Sequence, residues 1–153
     1  MANEVFNIAK GRVNELVNRV ASNDPTASGL IVVLLEANVA DASLRDFDDL
    51  ASLLADAGNT EATFANYVRQ TLTDTDLTAP TPDDTADNQS SDTPDITWTT
   101  AGPGNATTKL IICYAPDTAG TDATMIPLTH HDFVATPDGS DLTAQIANFY
   151  TAA

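Results

Sequence analysis

The stretch GLIVVLLEA, residues 29–37, contains the longest unbroken apolar run of the chain. It is short, rich in β-branched residues and continuous rather than alternating, which predicts a β-strand buried on both faces. A second segment of the same kind, TTKLIICYA at residues 107–115, predicts another core strand. We therefore expect the core to be built on two strands that lie far apart in the sequence.

A short helix is predicted just before the first of these strands. Its apolar residues stand at i, i+3, i+4 and i+7, on one helical face: Val13, Leu16, Val17 and Val20. The helix must end before Asp24–Pro25, because a residue that precedes proline is pushed out of the α region. Residues 1–9 show no regular period and predict an extended arm. We therefore treat residues 1–23, arm and helix, separately from a globular part at residues 24–153.

The clearest helical pattern covers about residues 43–57. Ser43 and Asp46 have the spacing of a capping box, and Gly58 suits the C′ position that ends a helix. The predicted buried stripe has helical spacing: Leu44, Phe47, Leu50, Ala51 and Leu54.

The middle of the chain is harder to assign. Residues 64–73 fit a helix or a strand, and their Tyr, Val and Thr content favours a strand. Residues 74–95 are rich in Asp and Pro and contain no Lys or Arg. They are too polar to bury, so we expect a solvated excursion, pinned at its ends by Leu77 and Ile96.

After residue 95 the pattern is that of β-strands separated by turns. Ile96 and Trp98 lie on one face of a predicted strand. The composition of residues 102–105 predicts a turn, and that of residues 116–122 predicts a loop. Residues 124–136 and 141–150 flank the tight turn PDGS and predict a hairpin. The fold class is therefore predicted as α+β: one domain, mainly an antiparallel sheet, sandwich- or barrel-like, with an N-terminal arm and one or two short helices.

Charge and composition exclude several classes of function. Six Lys and Arg against 22 Asp and Glu give a formal net charge of −16, which argues against nucleic-acid binding. Half of the six cations, Lys10, Arg12 and Arg19, fall in the first 23 residues. No signal peptide is recognisable, and the longest apolar run is far below the ~20 residues of a membrane helix. We expect a soluble protein with no membrane partner.

Candidate chemical sites are weak. The pair His130–His131 before Asp132 could supply metal ligands, but neighbouring residues of a strand point to opposite faces. Cys113 lies in an apolar strand, where cysteine behaves as a small hydrophobic residue rather than a nucleophile. The Asp clusters could bind Ca²⁺, although none matches a twelve-residue calcium loop. We predict no catalytic residue, no metal and no cofactor, and hence no enzyme.

Three blocks carry a resemblance to a known family. NIAKGRV…NDP opens the chain, NTEATFANYVRQTLTD lies in the middle, and LIICYAPDTAGTD…IPLT follows later. With their surroundings these blocks resemble a family of small structural proteins of tailed bacteriophages, along nearly the whole chain. The resemblance implies a virion protein, made in the host bacterial cytoplasm and placed on the capsid exterior as a head decoration (cement) protein. Its partners would be the phage major capsid protein and itself, as a homotrimer or a dimer.

The role that this resemblance implies would explain why half of the few cations lie near the N-terminal end of an acidic chain. A protein displayed in many copies benefits from an acidic, self-repelling body, whereas a less negative N-terminal end would meet a capsid surface that is commonly acidic. The capsid-contact candidates are apolar and basic residues of that end: Val5, Phe6, Ile8, Lys10, Arg12 and Arg19. The alternative is a tail- or fibre-associated module that recognises a host-surface glycan through the acidic loop and Trp98. An exposed Trp98 would favour that alternative, and a buried one would count against it.

Overall fold

The computed structural model describes residues 3–153, with side-chain environments from Glu4 onward. Within that range the chain forms eleven strands and three α-helices, joined by turns and two short 3-10 segments. In chain order the elements are β1 (Asn3–Val5), α1 (Val13–Ala21), β2 (Gly29–Ala37), α2 (Asp41–Leu44), α3 (Leu50–Ala55), β3 (Thr60–Glu61), β4 (Gln70–Leu72), β5 (Pro82–Asp83), β6 (Asn88–Ser91), β7 (Ile96–Trp98), β8 (Lys109–Ala115), β9 (Ile126–Asp132), β10 (Leu142–Ala144) and β11 (Tyr150–Ala152). All strand pairs are antiparallel. The predicted α+β class with a mainly antiparallel sheet is confirmed.

The two apolar segments are neighbours at the centre of the largest sheet. β2 pairs with β8 over seven residues, from Gly29 opposite Ala115 to Leu35 opposite Lys109. The strand order is β1-β9-β8-β2-β3, and the short β4 also pairs with β2. Every residue of β8 is buried, and so are the first seven of β2. The prediction of two core strands is confirmed, because continuous apolar runs can be covered on both faces only at the centre of a sheet.

Each face of this sheet carries its own apolar cluster. Alternate residues of β2 and β8 divide between the two clusters, as the two-residue period of a strand requires. One cluster packs against α1 and the chain around β7 and β10, and includes Leu30, Leu34, Leu110, Trp98 and Phe149. The other packs against α2 and α3, and includes Ile31, Val33, Ile111, Leu50 and Leu53. The molecule is thus layered about one central sheet.

The N-terminal residues belong to this architecture rather than to a free arm. β1 is an edge strand that pairs with β9, with Glu4 opposite His130. Helix α1 buries its predicted face, Val13, Leu16, Val17 and Val20, in the first cluster. Residues 3–5 are extended, as predicted, but they pair as an edge strand, and a 3-10 turn follows at Asn7–Ala9. Residues 1–2 lie outside the described range. Residues 3–23 share the core of the rest of the chain, with no boundary at residue 23.

The helix predicted at residues 43–57 is in fact two. α2 ends at Leu44 and α3 begins at Leu50, whose preceding residue Asp49 accepts a hydrogen bond from the Ser52 backbone N–H at 2.7 Å. The run Asp46 to Asp49 favours this break, since a carboxylate at an N-cap satisfies an otherwise unpaired donor. Ser43 lies inside α2 and caps nothing, and Leu53 rather than Leu54 is fully buried.

The solvated excursion contains a small hairpin. β5 and β6 pair within residues 74–95, and β11 joins them to form a separate three-stranded sheet. Most residues of the segment are exposed or half-buried, while Leu77 and Ile96 are buried as predicted.

The predicted hairpin of residues 124–136 with 141–150 is wrong. β9 pairs with β8 and β1, whereas β10 pairs with β7 and β11 pairs with β6. Ala144 and Ile146 alternate with exposed residues and are buried, but such alternation carries no information on the partner strand.

Candidate functional site

The six predicted contact residues divide by exposure. Lys10, Arg12 and Arg19 are exposed, and Val5 and Ile8 are half-buried. Phe6 is fully buried, with 0% of its surface exposed. The structure thus places the basic candidates on the surface and removes one apolar candidate from it.

Phe6 is an internal residue of the second cluster. Its ring meets the His130 ring edge to face, with centroids 5.3 Å apart. Its backbone N–H donates to Leu128 O at 3.0 Å, extending the pairing of β1 with β9 by one residue. In this conformation Phe6 cannot contact a partner, which corrects its assignment as a capsid-contact residue.

Lys10 and Arg12 project from a tight connection that leads into α1. A 3-10 turn at Asn7–Ala9 precedes it, and Gly11 adopts a φ of +77°, which glycine reaches without strain. The buried residues Ala9 and Val13 flank the connection on either side. Both basic residues are therefore exposed on a well-anchored part of the surface.

The remaining four cations are held by carboxylates. Arg19 pairs with Glu15 at 2.7 Å, and Arg45 lies 3.6 Å from Glu4. The other two each contact two carboxylates: Arg69 contacts Glu61 and Asp122, and Lys109 contacts Asp41 and Asp132. Among the residues that the structure describes, Lys10 and Arg12 are the cations without an ion pair within 4.0 Å. We call these two residues the basic pair.

The Arg69 cluster is a structural bridge. Its guanidinium donates to Glu61 at 2.7 Å and to Asp122 at 2.6 Å, and these bonds raise the pKa of Arg69 above its ordinary value. The Tyr67 hydroxyl donates to Glu61 and accepts from the Leu34 backbone N–H, so the cluster ties β3 and β2 to the loop before β9. Burial raises the pKa of Tyr67, and the charge of Glu61 adds to the effect.

The two histidines are both buried, each with 0% exposure. His131 shares a hydrogen bond with the Thr129 hydroxyl at 2.9 Å, and burial lowers the pKa of His131 to about 4. Across residues 3–153 no group of three or more His, Cys, Asp or Glu side chains is arranged to hold a metal ion. Cys113 is fully buried, and burial raises its pKa far above the ordinary thiol value.

Trp98 is 1% exposed, and its indole N–H donates to Val68 O at 2.8 Å. It therefore offers no aromatic platform to a sugar, which counts against the glycan-binding alternative. The acidic excursion does border an open cleft of about 640 Å³, lined by polar side chains that include Asp76, Asp83 and Asp92.

Sequence reasoning found the uneven charge but missed which cations are neutralised. The spacing of Glu15 and Arg19 does predict their pairing. The partners of Arg69 and Lys109 are 8 to 68 positions away in the chain and follow only from the fold.

Comparison with protein-family models, with curated proteins and with solved structures finds no match. None of the helices in residues 3–153 combines the length and apolar character that crossing a bilayer requires.

Proposed function

We propose that this chain is a capsid decoration (cement) protein of a tailed bacteriophage. It binds the outer face of the major capsid protein lattice and stabilises the head, without catalysis and without a nucleic-acid or membrane partner. It acts as a homo-oligomer, a trimer where the lattice has three-fold symmetry. The resemblance of its sequence blocks to tailed-phage structural proteins supplies the class of partner.

The observation that carries the proposal is the basic pair. In a chain of net charge −16, Lys10 and Arg12 are exposed and have no ion pair among the described residues. Elsewhere the surface repels other acidic surfaces, and this repulsion keeps neighbouring copies apart. At the basic pair the repulsion is locally relieved, so an acidic capsid surface would approach most easily there. The half-buried Val5 and Ile8 lie in the same segment and add apolar contact.

The test is charge reversal at the basic pair. The double variant Lys10→Glu with Arg12→Glu is mixed with expanded capsids that lack the protein, and occupancy is measured by sedimentation at increasing protein concentration. Replacing attraction by repulsion at two exposed sites is expected to weaken binding about tenfold, or ~1.4 kcal/mol. Because exposed charges are screened within a Debye length, the loss should shrink at high salt.

The matched control is the single variant Arg19→Glu, which is compared with the single variant Lys10→Glu. Each changes the net charge by the same amount, but Arg19 is already paired with Glu15. Binding should fall clearly less in Arg19→Glu than in Lys10→Glu, with unchanged circular dichroism for both. Equal losses would mean that only net charge matters, and unchanged binding of the double variant would reject the assignment of the basic pair.

Electron cryo-microscopy of the intact particle tests the wider proposal. Density in many copies on the capsid exterior, with Lys10 and Arg12 facing the shell, is the expected result. Density confined to the tail would instead support the tail-associated alternative.

A further inference from the structure

His130 is the most unusual polar group in the described part of the molecule. It is fully buried, and neither ring nitrogen has a hydrogen-bond partner among the residues that the structure describes. The nearest carboxylate is that of Glu4, whose Oε2 lies 3.8 Å from Nε2, beyond hydrogen-bonding distance. A buried polar group without a partner destabilises the state that buries it, and the protonated, charged form would do so far more.

A small edge element forms one side of the His130 environment. Glu4 of β1 is the Cα partner of His130, and the Phe6 ring meets the imidazole in an edge-to-face contact. We call residues 3–7 the N-terminal latch. Besides the pairing of β1 with β9, the latch is held by Phe6 N–H to Leu128 O at 3.0 Å, by Asn7 N–H to Arg45 O at 2.9 Å and by the Arg45–Glu4 pair.

We propose that the N-terminal latch is released by acid: protonation of His130 detaches β1 and Phe6 from the edge of β9 while the central sheet stays folded. The inference is independent of the proposed capsid function. It assigns a conformational response to residues that hold an otherwise unexplained buried histidine.

The charges around His130 come from every element packed on it. Glu4 on β1, Asp41 on α2 and Asp132 on β9 favour a protonated imidazole, while Lys109 on β8 opposes it. His131, the neighbour on β9, is itself buried and interacts elsewhere. Burial outweighs the three carboxylates, so the pKa of His130 lies below its ordinary value of 6.5.

The direction of the pH effect follows from this shift. The closed latch binds a proton less readily than an open state in which the imidazole meets water. The contribution to latch stability is therefore present above pH 6.5 and is lost progressively as the pH falls below that value. The closed latch can bury a neutral His130, whereas a protonated His130 must be hydrated and therefore favours the open latch.

The latch opens before the sheet because the latch is the smaller element. Opening it breaks a three-residue edge pairing and a few hydrogen bonds, and exposes one phenylalanine. On its other side β9 remains paired with β8 from Ile126 to Asp132. Local opening of an edge is cheaper than global unfolding, so the response stays at the edge.

Hydrogen exchange measured by NMR at single amides tests the proposal on the full chain. The probes are the backbone amides of Phe6 and Asn7, with Val32 and Ile112 of the central pair as internal references. Protection factors are corrected for the intrinsic pH dependence of exchange. Between pH 7.5 and pH 5.5 the protection of Phe6 and Asn7 should fall, by about tenfold at most, because a solvated histidine becomes largely charged over that interval. Val32 and Ile112 exchange only through larger openings, which expose both histidines. Their protection should therefore also fall on acidification, but it should stay well above that of Phe6 and Asn7 at both pH values.

The variants His130→Leu and His130→Gln remove the titrating group and should abolish the fall in protection at Phe6 and Asn7. Two replacements of different polarity are used so that repacking in one of them does not decide the result. The matched control is His131→Leu, which removes the adjacent buried histidine and should leave the fall at Phe6 and Asn7 in place. The proposal is overturned if both His130 variants keep the fall at Phe6 and Asn7, or if His131→Leu abolishes it. It is equally overturned if the protection of Phe6 and Asn7 rises on acidification, or if these two amides are as strongly protected as Val32 and Ile112 at both pH values.

Discussion

The central strand pair and the acidic excursion are both antiparallel β structure, yet different forces hold them. β2 and β8 pair over seven residues that are nearly all buried on both faces. β5 and β6 pair over two residues, and their surroundings are exposed. In the excursion carboxylates replace the apolar contacts: Asp83 accepts from the backbone N–H groups of Thr85 and Ala86.

The difference shows two ways of specifying a strand pair. Where apolar side chains cover the backbone, pairing is coupled to the hydrophobic core and stability is concentrated there. Where side-chain oxygens satisfy the turns, pairing is local and water competes for every hydrogen bond. Substitutions should therefore have large effects in the first region and small effects in the second.

The largest effect is expected from Leu34→Ala in β2. Leu34 has 0% exposure and lies in the first apolar cluster. Removing its side chain from a close-packed core should lower the free energy of unfolding by about 2–5 kcal/mol. Urea denaturation at neutral pH measures this. A loss below about 1 kcal/mol would mean that the centre of the sheet is far less tightly packed than its burial indicates.

Acidification should have the next largest effect. The folded-state pKa of His131 is lowered from 6.5 to about 4, so its contribution to stability is present above pH 6.5 and is lost as the pH falls through pH 4. A pKa shift of this size corresponds to about 3 kcal/mol of unfolding free energy. Unfolding free energies at pH 7.5 and pH 4, measured for the wild type and for His131→Leu, isolate this contribution from the other titrating groups. If both proteins lose the same amount, His131 is not the group responsible.

A smaller effect is expected within the excursion, from Asp92→Ala. Asp92 Oδ1 accepts from the backbone N–H groups of Thr93 and Asn148, both at 2.9 Å, and so ties the excursion to the chain before β11. Its loss should cost about 1 kcal/mol in thermal or urea unfolding. The matched control Asp84→Ala removes an exposed carboxylate for which the described residues show no hydrogen bond, and it should change stability by less than about 0.5 kcal/mol. If both variants lost the same unfolding free energy, the loss would come from the change in net charge and not from the hydrogen bonds of Asp92.

The sequence predicted those elements whose signal is local. β2, β8 and α1 were found because a continuous apolar run and a helical period are visible within ten residues. The pairing of β9 was missed because strand alternation reports a face and not a neighbour. The break between α2 and α3 was missed because the apolar spacing continues across it, although the Asp cap that begins α3 is present in the sequence.

The candidate site was predicted in part, for the same reason. Lys10, Arg12 and Arg19 are visible as an excess of cations in a very acidic chain. That Phe6 is internal could not be predicted, because β1 is three residues long and its partner lies more than 120 positions away. A strand so short carries no period, and its burial depends entirely on long-range pairing.

Cys113, the single cysteine of the chain, faces Ile31 at the centre of the sheet and is closed to solvent. Its side chain lies in the second apolar cluster, between the sheet and helices α2 and α3, so a thiol reagent can reach the sulfur only when this layer opens. The raised pKa keeps the thiol unreactive until then. Chemical modification of Cys113 is therefore a probe of core opening. The alkylation rate of the unmodified chain measures how often the apolar cluster that Cys113 shares with Phe6 opens.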